Sequence, residues 1–161
     1  MRMRNLAALL TAALCLAASE VQAGAGVKAV YQVSADQLWA TIDFHQPSEN
    51  IMPPIASSEL NGKGTGATKI NQLQGGGEVH LKLVYYSPEN RAFNYIIETS
   101  PLPVDNYLGE VRVRSLGANR AQLSWHGIYE PAGVPREKAD EILRGFYQAI
   151  AARIGEIHPQ E

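Results

Sequence analysis

Cysteine is almost missing: Cys15 is the only one among 161 residues, so no intramolecular disulfide framework is available. Charge is sparse as well, at 19% of residues with a net of −2, which excludes a protein held on nucleic acid by a general basic surface. The one long apolar run, residues 6–18, falls short of the roughly 20 residues a membrane-spanning helix needs. Beyond residue 26 there is no internal repeat and no low-complexity tract. With 45% hydrophobic residues the chain matches a globular protein of about one domain.

What the N-terminus does contain is an address. Arg2 and Arg4 precede the apolar run, and Val21 and Ala23 stand at −3 and −1 of a cut before Gly24. That layout predicts a secretory signal peptide at 1–23 and a secreted mature chain. Leu14 directly precedes Cys15, where a lipid-modified leader requires a small residue, so Cys15 is expected to leave with the leader. A cut there leaves a single domain at 24–161, 138 residues with 12 basic and 15 acidic side chains and no membrane span. A chain of that size buries about two-thirds of its unfolded surface, enough for a core without covalent staples.

The mature chain reads as strand, helix, loop, meander and closing helix. Residues 27–33 are β-rich. Residues 35–42 carry apolar side chains at helical spacing, with Ser34 in place to cap them. Prolines 47, 53 and 54 break 45–54 into a loop with room for one helical turn. Turn signals then recur every 12 to 15 residues between strand-forming runs across 57–130, the pattern of an antiparallel meander. Alternation assigns Val79, Leu81, Leu83 and Tyr85 to the inner face of one strand and Phe93, Tyr95, Ile97 and Thr99 to that of the next. Tyr107, Gly109, Val111 and Val113 follow, and then Leu123, Trp125, Gly127 and Tyr129.

From Pro135 the period changes. Ala139, Ile142, Leu143, Phe146, Ile150, Ile154 and Ile157 form one stripe on a helix of about 22 residues, some 33 Å long. Such a stripe must be buried against the sheet, which predicts an α+β fold of six or seven curved antiparallel strands wrapped round a C-terminal helix. A cavity between the two would be lined by Leu81, Leu83, Tyr95, Tyr107, Trp125, Tyr129, Ile142 and Phe146. Pattern alone leaves open whether these rings line a cavity or fill the core.

The chemistry-bearing residues are scattered. His45, His80, His126 and His158 form no close pair, so no metal site is expected. Alternation puts His80 and His126 outside. No phosphate loop and no Gly-x-Ser-x-Gly elbow occurs, so no cofactor is expected. Inward tyrosines suit hydrogen bonding better than proton abstraction, and Glu59 or Glu98 would reach a pocket only after a one-residue slip in register. No catalytic residue is assigned.

Several segments in order resemble the helix-grip fold of the START-like, or SRPBCC, superfamily. Residues 33–39, VSADQLW, are similar to its opening strand and first helix. Residues 100–107, SPLPVDNY, resemble the junction of two central strands in the polyketide cyclase-like branch. Residues 123–133, LSWHGIYEPAG, and 144–147, RGFY, resemble that branch's last strand and closing helix. The resemblance implies a hydrophobic-ligand cavity beneath two loops, a gate at Gly75, Gly76 and Gly77 and a latch at Pro101, Leu102 and Pro103. Where many relatives carry an inward carboxylate, this chain has Leu81, which makes the cavity more apolar.

The leader and size are also similar to periplasmic accessory proteins of the MxaD type. That implies a periplasmic location and a periplasmic quinoprotein dehydrogenase as a candidate partner. The expected function is binding of an apolar or amphipathic small molecule. The alternatives are a cyclase- or dehydratase-like enzyme and a surface-acting dehydrogenase accessory.

Overall fold

Inward-facing apolar residues at every second position and one long amphipathic helix leave few arrangements, and a computed structural model, describing residues 24–161, shows the one adopted. Seven strands form a single antiparallel sheet: β1 (Gly24–Tyr31), β2 (Ile55–Asn61), β3 (Thr68–Leu73), β4 (Glu78–Ser87), β5 (Ala92–Thr99), β6 (Val104–Gly117) and β7 (Arg120–Pro131). Their order is β1-β7-β6-β5-β4-β3-β2, so every neighbour after β1 is joined by a hairpin. Helix α1 (Ala35–Ile42) follows β1, and α2 (Arg136–Ile157) closes the chain. The predicted leader, 1–23, lies outside the described residues.

Local signals account for the elements. The Ser34 hydroxyl accepts the backbone N–H of Gln37, capping α1. A 3-10 turn at Ser48–Asn50 supplies the helical turn expected in the proline-rich loop. Helix α2 has the predicted 22 residues, with Pro135 at the cap rather than inside the first turn. It buries Ala139, Leu143, Ile150 and Ile154 together with Tyr147, which the stripe omitted; Ile157, counted in the stripe, is 41% exposed.

Helix α2 packs against β1 and β7, where the Tyr31 hydroxyl donates to the Ala151 carbonyl at 3.0 Å. The C-terminal tail then pairs with β1 along its free edge. Gln32 N–H donates to Pro159 O, Glu161 N–H donates to Val30 O, and Arg120 donates twice to the Glu161 carboxylate, both at 2.7 Å. An edge strand is thereby covered.

Three corrections concern strand bounds and phase. The first strand begins at Gly24 rather than residue 27 and ends at Tyr31. In β4 the register shifts between Leu83 and Tyr85. This irregularity turns Tyr85 outward, 46% exposed, and brings Tyr86 against the core beside Trp39, ring centres 6.0 Å apart. Thr99 is exposed near the end of β5.

Candidate functional site

Over β1 and β7 the helix lies close to the sheet, while towards β3, β4 and β5 the two diverge. The gap is a cavity of about 610 Å³. Its floor is Val79 and Leu81 of β4, Tyr95 and Ile97 of β5 and Tyr107 of β6; its roof is Ile142, Leu143, Phe146 and Ala149 of α2. Met52, Pro54 and Ile55 close one side together with Asn71 and Leu73 of β3. Gly75, Gly76 and Leu102 stand in the wall from the two loops. Gly76 and Gly77 take φ of 90° and 93°, left-handed backbone that favours glycine. A Cβ on Gly77 would stand 3.4 Å from the Pro101 ring, so the two loops lie side by side.

Eight of the fourteen residues singled out from the sequence therefore stand in the wall: Leu81, Tyr95, Tyr107, Ile142, Phe146, Gly75, Gly76 and Leu102. Leu83, Trp125 and Tyr129 face inward but lie outside it, fully buried. Gly77, Pro101 and Pro103 belong to the loops without lining the space. The pattern missed Asn71, since β3 turns its polar residues inward: Lys69 and Asn71 are 4% and 2% exposed, whereas Ile70 is only half-buried.

Trp125 supports the floor from behind. Its indole N–H donates to the Tyr95 hydroxyl at 3.1 Å, which lies 3.2 Å from the Tyr107 hydroxyl, and that in turn hydrogen-bonds Tyr147. Burial raises all three phenol pKa values, and well above the usual range for Tyr107 and Tyr147, so the hydroxyls stay protonated. The rings fit because glycine faces each. A Cβ on Gly109 would collide with the Tyr95 ring, and one on Gly127 would come within 2.6 Å of the Tyr107 ring.

The other titratable groups are engaged elsewhere. Asp43 accepts the Tyr86 hydroxyl at 2.6 Å and both the backbone N–H and ring Nδ1 of His45 at 2.7 Å. His45 Nε2 accepts the Gly64 N–H at 3.1 Å, which places the ring proton on Nδ1 and ties the β2–β3 turn to the loop after α1. His80 pairs with Glu78 and His126 with Glu110 on the outer face; Glu59 and Glu98 are exposed. His158 meets the Thr41 hydroxyl at 2.8 Å. Among the described residues no three His, Cys, Asp or Glu side chains are placed to hold a metal ion, and no helix is long and apolar enough to cross a membrane.

Known proteins share this fold. The family model described as polyketide cyclase / dehydrase and lipid transport matches residues 25–156. Among solved structures, an uncharacterised protein of Bacillus thuringiensis superposes with a TM-score of 0.77 at 24% identity, covering 84% of this chain and 98% of that one. The protein XoxI from Bacillus cereus gives the same score and identity over 84% and 94%. The Zhui aromatase/cyclase of a Streptomyces species scores 0.65 at 16% identity, over 85% and 96%. No curated protein sequence matches the chain.

Proposed function

Because the chain belongs to the polyketide cyclase / dehydrase and lipid transport family, we propose that it is an exported protein that binds an apolar or amphipathic small molecule between its sheet and α2. The observation that carries this reading is the cavity wall. Fifteen of its nineteen residues are aliphatic, thioether, phenyl or glycine groups, and the polar remainder is Asn71, Gln74 and the hydroxyls of Tyr95 and Tyr107. Apolar walls with a few placed hydrogen-bonding groups are the usual form of a small-molecule site.

Binding is favoured over catalysis by the same wall. Acid–base chemistry needs a group that exchanges its proton near the working pH. No carboxylate, imidazole or amine lines the space, and burial holds the two phenols protonated. The surface-acting role beside a periplasmic dehydrogenase rests on the MxaD-type resemblance alone.

Native and denaturing mass spectra of protein purified from the periplasm test the reading. An additional mass lost on denaturation supports it, and a 138-residue chain places the cut before Gly24. A bare chain that also fails to bind 2-naphthol overturns it and favours the accessory role.

A further inference from the structure

Asn71, the one of the two inward polar residues of β3 that lines the cavity, is its costliest feature. Asn71 faces Val79 across the β3–β4 pair and is 2% exposed. Its amide oxygen is shut off from solvent and has no hydrogen-bond partner among the described residues. An unpaired buried carbonyl is one of the costlier groups a core can hold. The remaining polar groups of the wall are already used. Tyr95 and Tyr107 bond each other, Trp125 and Tyr147, and Gln74 donates to the Pro53 carbonyl at 2.8 Å. An aliphatic side chain would fit the apolar surroundings of position 71 without that cost.

We propose that Asn71 is the polar anchor of the cavity and selects apolar ligands that carry one uncharged donor, a hydroxyl or amide N–H, for Oδ1 to accept. The inference rests on the binding reading above and adds the class of ligand. Asn71 is itself part of the wall; its Oδ1 is buried, and the carboxamide must turn about its Cβ–Cγ bond for that oxygen to meet the donor of the ligand. Neutrality of the ligand follows from the lining, which offers no charge to compensate an ion stripped of water. Lys69 is the cation closest in sequence, and its ammonium is directed to the Gln46 carbonyl at 2.6 Å instead.

Fluorescence titration with 2-naphthol and 2-methoxynaphthalene tests this, since the two share a ring system and only the first can donate. The native protein is expected to bind 2-naphthol about five- to tenfold more tightly. In Asn71→Leu that preference falls to within about twofold, as removal of one hydrogen bond requires, whatever the common change in affinity for the shared ring system. Asn71→Ser, with a hydroxyl acceptor, retains part of the preference. If Asn71→Leu does not fold, Asn71→Ala is read with the same pair. Equal affinities in the native protein, or a preference that survives removal of the amide, overturn the anchor and leave cavity binding intact. Binding of neither probe overturns both.

Discussion

Lys69 holds its ammonium inside the molecule, donating to the Gln46 carbonyl and lying 4.7 Å from the centre of the Phe44 ring. Burial pushes its pKa down to about 8, against the opposing pull of Asp43 and Glu49. Below that value both folded and unfolded chains carry the charge, and folding bears the full desolvation cost. Between about 8 and the ordinary 10.5 the unfolded chain keeps a proton that the folded chain has released, so stability rises with pH. Relative to Lys69→Met, the native protein is expected to gain about 1 kcal/mol between pH 7 and pH 9. Urea unfolding of both proteins at the two pH values checks this; parallel changes would show that the ammonium is not desolvated by folding.

Glycines show how an element's role depends on what faces it. Gly109 of β6 lies opposite Tyr95 of β5, and an added methyl would strike the ring that forms the cavity floor. Gly109→Ala is expected to cost about 2 kcal/mol through overpacking and to weaken 2-naphthol binding. Gly145 of α2 has open space where its Cβ would be, so Gly145→Ala should stabilise the helix by about 0.5–1 kcal/mol. Urea midpoints of the pair separate the cases; a Gly109→Ala protein as stable as the native one would show that the Tyr95 ring yields.

The same elements mark how far the sequence could be read. Strands β6 and β7 and most of β5 and helix α2 were legible because their apolar residues keep one period, with Thr99, Tyr147 and Ile157 the exceptions at β5 and α2. At Tyr85 and Tyr86 the reading failed because a register shift leaves no trace in the alternation. At β3 the sequence offers no usable alternation, because the fold turns Lys69 and Asn71 inward and leaves Ile70 half-buried, against their hydrophobicity. Depth was illegible too: Trp125 and Tyr95 share the inward phase, yet Trp125 braces Tyr95 from behind and only Tyr95 reaches the cavity. A strand pattern distinguishes faces, not layers.

Across the molecule, one half of the sheet is packed on α2 and the other half stands off from it. The packed half is tied by the Tyr31–Ala151 bond and the C-terminal tail on β1, whereas the open half leaves about 610 Å³ unfilled. A ligand filling that space binds the folded state alone, so its affinity appears as stability. At a hundredfold excess over its dissociation constant, 2-naphthol should add about 2.7 kcal/mol, which raises the unfolding temperature by roughly 5–10 °C in a domain of this size. Ala149 offers a control, because it lines the roof from α2. Ala149→Phe places a ring in the cavity and should abolish the shift while the protein still unfolds cooperatively. Calorimetry with and without 2-naphthol decides the matter: an undiminished shift in Ala149→Phe would locate the ligand outside the gap between sheet and helix.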